Sequence, residues 1–195
     1  MLILSSNSPR RKELLQGLGI PFKVLVIKGI DESYPDTLPA AEVAEYIAVK
    51  KAAPYRDNIA GTDNIVLTAD TVVVCNDDIM GKPSDEQDAI RMLRELSGKT
   101  HQVYTGVCLT TSTMQKHFCV RTDVTFRELS DEEIMHYIRA YKPFDKAGAY
   151  GIQEWIGYVG ITSIHGSYYN VMGLPVQRIY QELKNINPAI LKLSE

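Results

Sequence analysis

The sequence predicts an α/β fold: a single domain, residues 1–195, with a central mixed β-sheet flanked by helices. Three observations predict it. Apolar, β-branched runs at Met1–Ser5 and Ile65–Cys75 are separated by a helical stretch. Two further strand patterns, Gln102–Thr111 and Lys116–Phe126, lie between helices that carry their own start signals. Long crossovers make parallel pairs and short turns make antiparallel ones, so a chain holding both builds a mixed sheet. The 195 residues, 45% hydrophobic and 23% charged, suffice for a buried core without disulfide staples.

Each element has its local reason. Met1–Ser5 is a short apolar strand, followed by a polar loop and a helix over Pro9–Gln16. Ser8 caps that helix, and Pro9 fills its first position, where a missing N–H is no loss. Gly17 and Gly19 stop it, and a strand follows around Phe22–Ile27. Val43, Ile47 and Lys51 recur every four residues and mark Ala40–Tyr55 as helical. Ile65–Cys75 is a strand that turns at Asn76-Asp77-Asp78 into a second short one. Ser84 with Gln87, and Ser130 with Glu133, match capping boxes; the first helix ends at Gly98 and the second before Pro143. Phe118, Val120, Val124 and Phe126 alternate with Arg121 and Asp123, which predicts one covered and one wet face. The last third predicts a strand pair, Tyr158–Ile164 and Tyr168–Met172, turning at His165-Gly166-Ser167. A terminal helix follows, with Pro175 in its first turn.

Composition excludes several functions. With 21 Lys and Arg against 24 Asp and Glu, the net charge is −3, and no nucleic-acid partner is expected, since such binders carry a basic surplus. No run approaches the ~18 apolar residues of a membrane span. Met1–Ser5 is too short, and lacks the basic flank, for a signal peptide. The expected location is therefore cytoplasmic, with no membrane partner. Cys75, Cys108 and Cys119 are too scattered for a disulfide framework or a Cys-x-x-Cys site, and read as buried thiols. His101, His117, His136 and His165 are scattered too, which argues against zinc. Walker, Rossmann and Gly-x-Ser-x-Gly signatures are absent.

Four constellations point to chemistry. In Ser5-Ser6-Asn7-Ser8-Pro9-Arg10-Arg11, two arginines sit in a first helical turn, where the dipole disfavours cations. An anion bound there reverses the sign, using backbone N–H groups, the hydroxyls of Ser6 and Ser8, and the guanidinium forks. Asp70 stands inside an apolar strand, where a carboxylate must be paired, hydrogen-bonded or metal-bound. It reads as a metal ligand or general base. Lys51, Lys82 and Lys146 each read alone as solvated surface, although Gly81-Lys82-Pro83 aims its ammonium by a rigid turn. Finally, Gly148-Ala149-Tyr150-Gly151-Ile152-Gln153 lets a ligand approach the backbone, and the Gln153 amide has the paired donor and acceptor to read a base edge.

Together these residues resemble the Maf family of nucleotide pyrophosphatases. The likeness runs through Ser6-Asn7-Ser8-Pro9-Arg10-Arg11-x-Glu13-Leu14-Leu15, Asp31-Glu32, Lys51-Ala52, Ala69-Asp70-Thr71-Val72-Val73, Gly81-Lys82-Pro83, Leu96-Ser97-Gly98 and Asp145-Lys146-Ala147-Gly148-Ala149-Tyr150-Gly151-Ile152-Gln153. The resemblance implies a Maf/Ham1-like (ITPase-like) architecture with a substrate cleft. It also implies cleavage of a nucleoside triphosphate to the monophosphate and pyrophosphate with a divalent cation, Mg²⁺ or Mn²⁺. By the same resemblance Asp70 is the catalytic carboxylate, and Glu32 joins it in holding the metal. Arg11, Lys51 and Lys82 join Ser6 and Ser8 in binding phosphate, while Arg10, Thr71 and Gln153 govern substrate choice. The late motif is similar to the branch acting on dTTP and UTP, and a homodimer is implied. The same chemistry on 7-methyl-GTP, and a non-catalytic regulator of septum formation, stay open as alternatives.

Overall fold

The computed structural model describes residues 1–191. Seven strands, β1 (Leu2–Ser5), β2 (Phe22–Val24), β3 (Ile65–Cys75), β4 (Asp78–Met80), β5 (Thr100–Thr110), β6 (Gln115–Phe126) and β7 (Ile161–His165), form the sheet. Their order is β2-β1-β3-β5-β6-β7, with β4 beside β3. β1 pairs parallel with β2 and β3, while β3–β4 and β6–β7 are antiparallel. The helices are α1 (Pro9–Gln16), α2 (Ala40–Ala52), α3 (Arg56–Ile59), α4 (Glu86–Leu96), α5 (Asp131–Tyr141), α6 (Trp155–Gly160), α7 (Tyr168–Val171) and α8 (Val176–Ile186). The α/β class with a mixed sheet is as expected.

The described residues divide into two compact units: residues 1–70, 105–120 and 173–191, and residues 71–104 and 121–172. In the first, α2 lies so close to β5 that a Cβ on Gly106 would stand 2.2 Å from the Ala44 carbonyl. Ile3, Tyr55, Ile59 and Val66 form one buried cluster of this unit, and Ala48, Ala52 and Cys108 another. In the second, Val73, Leu93, Phe126, Tyr137 and Ile156 belong to one large core cluster. On β6 the expected alternation holds where Thr122, Val124 and Phe126 are buried, but Phe118 and Val120 are only half covered.

Several boundaries differ from expectation. β2 ends at Val24 because the Tyr55 hydroxyl takes over the backbone beyond it, donating to the Leu25 carbonyl at 3.0 Å and accepting from the Ile27 N–H at 2.8 Å. α2 stops at Ala52 and passes into a 3₁₀ turn at Ala53–Tyr55, where Pro54 withholds a donor. The α4 cap is Asp85, accepting from the Asp88 N–H, rather than Ser84; Ser84 instead donates its N–H to Asp88 at 3.0 Å. The α5 capping box is as expected, with Ser130 and Glu133 serving each other's backbone. Pro175 is the cap of α8 rather than a residue of its first turn.

The predicted strand pair in the last third is half wrong. Residues 155–160 are helical: Arg127 donates its N–H to the Gly160 carbonyl at 2.8 Å and its Nε to the Val159 carbonyl at 2.6 Å, satisfying the end of α6. β7 then pairs with β6. Tyr168–Val171 is a helix because Ser167 caps it and the buried Asn170 amide donates to the Val103 carbonyl and Thr122 Oγ1.

Candidate functional site

In the first unit, the site begins with strand pairing. β1 and β3 run parallel from Leu2↔Ile65 to Ser5↔Thr68, so the carboxyl end of β1 lies beside the middle of the longer β3. Ligands collect beyond such ends because the chain there opens into loops and helix N-termini. The Ser6–Ser8 loop leaves β1, and Asp70 lies two residues past the last β3 position that pairs with β1. The Ser8 N–H donates to Ser6 Oγ at 3.1 Å, and Ser8 Oγ accepts from the Arg11 N–H at 3.4 Å. Both hydroxyls thus shape the loop. Arg10 is half-buried in the first turn of α1.

Arg11 reaches from α1 to the backbone before Asp70. Its Nη1 donates to the Ala69 carbonyl at 2.8 Å and its Nε to the Gly173 carbonyl at 2.9 Å. Burial pushes the guanidinium pKa down, Asp70 and Glu32 act against that shift, and Arg10 adds to it. An arginine stays charged through such a shift. Arg11 therefore fixes the β3 backbone beside Asp70 in addition to the phosphate role expected of it.

Lys51, in the last turn of α2, gathers the acids. Its Nζ lies 2.8 Å from Asp70 Oδ1 and 3.1 Å from Glu32 Oε2, with the lysine and aspartate side chains each 15% exposed. Next to it in sequence, Lys50 holds Asp31 at 2.7 Å; Lys50 and Ser33 keep the Asp31 carboxyl well below the usual carboxylate range. The spacing of Lys51 from Asp70 has a buried support. Thr68 Oγ1 donates to the Ala48 carbonyl at 2.7 Å. Thr68 and Asp70 share a face of β3, and Ala48 and Lys51 share a face of α2.

Two carboxylates converging on one ammonium are a hard, anionic oxygen set, the donor type that suits Mg²⁺ or Mn²⁺. Among the described residues no group of three or more His, Cys, Asp or Glu could hold a metal unaided. A cation at Glu32 and Asp70 would thus complete its shell from water and ligand oxygens, the usual habit of Mg²⁺. The residues fit such an ion.

The second unit carries the remaining expected residues. Thr71, half-buried, follows Asp70 on β3. Lys82 is exposed in the Gly81-Lys82-Pro83 loop, which is tied to the late motif by the Gly148 N–H donating to the Gly81 carbonyl at 3.0 Å. Gln153 is half-buried, and its Oε1 is fully covered with no hydrogen-bond partner among the described residues. A covered, unsatisfied acceptor costs about 1–3 kcal/mol.

Three side chains here escape a linear reading. Lys146, which reads as surface, is buried, its Nζ 3.0 Å from Glu154 Oε1 and 2.9 Å from Asp145 Oδ1. Glu154 and Tyr137 carry no sequence signal of their own. The only hint was a lysine placed next to the small apolar run Ala147-Gly148-Ala149.

A dTTP/UTP pyrophosphatase from Phocaeicola vulgatus is 62% identical over 95% of this chain and 95% of its own length. Proteins of the same name from Bacteroides thetaiotaomicron and Porphyromonas gingivalis are 54% and 51% identical, over 95% and 94% of this chain and 95% and 93% of their own lengths. A HAM1 protein from Coxiella burnetii aligns over 93% of this chain and 98% of its own at 15% identity and a TM-score of 0.42, a likeness too slight to argue from. The family model described as Maf-like protein matches residues 1–186, and the chain belongs to that family.

Proposed function

We propose that this chain hydrolyses dTTP and UTP to the monophosphate and pyrophosphate. The observation that carries the proposal is the Lys51 ammonium shared by Asp70 and Glu32 where β1 ends beside β3, with the half-buried Arg11 next to them. The names of the relatives, from 51% to 62% identical over nearly the whole chain, support the same reaction.

The residues divide the work. Arg10, Arg11, Lys51 and Lys82 neutralise the triphosphate and the charge that develops on departing pyrophosphate. Glu32 and Asp70 would hold Mg²⁺ or Mn²⁺, which when bound supplies charge neutralisation and a more acidic water. Asp70 accepts the proton as water oxygen bonds to the α-phosphorus and the bond to the β-phosphate breaks. The unpartnered Gln153 amide, turned toward the base, accepts through its oxygen the imide N3–H that uracil and thymine share, whereas cytosine offers an acceptor there. Arg10 and Thr71 join in substrate choice. A cytoplasmic homodimer that keeps the nucleotide pool clean completes the proposal.

Ion chromatography of products from each common triphosphate and 7-methyl-GTP tests it. Pyrophosphate from dTTP and UTP in preference to the rest is the expected result. Asp70→Asn lowers turnover by about 100-fold or more, the range lost with a general base. Orthophosphate as the product, or unchanged turnover in that variant, overturns the assignment.

A further inference from the structure

Gln153 sits in a short turn, with the Glu154 N–H donating to the Gly151 carbonyl at 3.0 Å. A side-chain network in the second unit clamps that turn from both ends. The Tyr137 hydroxyl accepts from the Gly151 N–H at 3.0 Å and donates to Glu154 Oε2. Glu154 Oε1 lies 3.0 Å from the Lys146 ammonium, the two side chains being 18% and 10% exposed. One phenol oxygen thus joins the first residue of the turn to the last, and the lysine neutralises the carboxylate that completes the loop. Gly151 leaves no space inside: a Cβ there would meet both Glu154 Cδ and Lys146 Cε at 3.0 Å. Tyr137 is fully buried on α5, so its end of the clamp is fixed in the core.

The network is a costly way to hold an ordinary turn. A buried ion pair repays its desolvation only when geometry is good and its other lone pairs are satisfied. Here both carboxylate oxygens are satisfied, and what the turn presents is the Gln153 amide with its covered, unpartnered oxygen. Without a partner of its own, that amide takes its direction from the backbone beneath it. We infer that Glu154, held by Tyr137 and Lys146, is a positioning residue that sets the Gln153 amide in the orientation that accepts a pyrimidine imide N–H, so that base selectivity depends on this triad. Burial, and then the hydrogen bond to Glu154, push the Tyr137 hydroxyl pKa far above its ordinary value, so the donor stays protonated at every working pH. The inference rests on the base-reading role proposed for Gln153.

The experiment compares kcat and KM for UTP and CTP in the intact protein and in Gln153→Ala, Tyr137→Phe and Glu154→Gln. Thermal unfolding identifies any variant that fails to fold. The expected result is that Tyr137→Phe and Glu154→Gln each lower the UTP-over-CTP ratio of kcat/KM by about tenfold or more, mainly through KM for UTP, as a displaced recognition group does. Gln153→Ala does the same. If Gln153→Ala lowers the ratio while both network variants keep it, or lose rate equally on both substrates, positioning by the triad is overturned and the role of Gln153 stands. If Gln153→Ala keeps the ratio, the base-reading role falls and the inference with it. Glu154→Gln, at a partly exposed side chain that keeps an acceptor for Tyr137, decides the matter if Tyr137→Phe does not fold.

Discussion

Replacing Lys51 by Met leaves Asp70 and Glu32, both within 3.1 Å of one ammonium, without the charge that joins them. The expected cost is about 1–3 kcal/mol at pH 7, less than for a fully buried pair because Glu32 is exposed. Added Mg²⁺ should recover part of it in a thermal-shift assay. His101 makes a second prediction. It is fully buried, with Nε2 2.7 Å from the Tyr150 hydroxyl, and burial lowers its pKa from 6.5 to about 4. The unfolded chain therefore binds this proton first. The stability due to neutral His101 is complete above pH 6.5 and declines as pH falls toward 4, by about 2–3 kcal/mol between pH 7 and pH 4.5. Glu133, whose pKa Arg127 and Ser130 lower to about 2, contributes above pH 4.5 and is lost only below it, so that window isolates the histidine. Urea unfolding at the two pH values should show the decline, and His101→Gln should flatten it. At this scale Asp70 was legible because a carboxylate among valines needs a reason. Glu154 was not, because a glutamate before a helical turn needs none.

Elements were legible where one residue decides an end. Ser8, Pro9 and Gly17 bound α1 from sequence, and Ser130→Ala should cost about 1 kcal/mol by removing the α5 cap. They were illegible where a distant side chain decides. The Tyr168–Met172 segment reads as the second strand of a pair, yet the Ser167 cap and the Asn170 amide bonds to Val103 and Thr122 make it helical. Gly106 shows the same kind of hidden constraint, since nothing nearby in sequence announces that Ala44 lies against it. A Gly106→Ala substitution must push α2 away from β5, at about 1–3 kcal/mol or more by chemical denaturation. Because α2 carries Lys51, turnover should fall with stability in that variant.

For the whole molecule, a net charge of −3 conceals how its charges are placed. Acids and bases are matched in small sets, and a triphosphate with its metal would exchange partners within one of them. Removing divalent cations with EDTA should therefore abolish pyrophosphate release, and Mg²⁺ or Mn²⁺ should restore it. The α/β class was legible from the alternation of strands and helices, whereas the strand order was not, because pairing β1 with β3 depends on a crossover whose path no local pattern encodes. The Thr68 hydroxyl on the Ala48 carbonyl illustrates what such pairing provides. It acts as a datum from which the interval between acid and ammonium is gauged, at a joint solvent does not reach. Salt at physiological strength screens exposed charges over about 8 Å, loosening contacts such as Lys50 with Asp31, but it has little purchase on a buried hydroxyl–carbonyl bond. Changes in ionic strength should then weaken the attraction of substrate toward the protein and leave the alignment of Asp70 with Lys51 as it was.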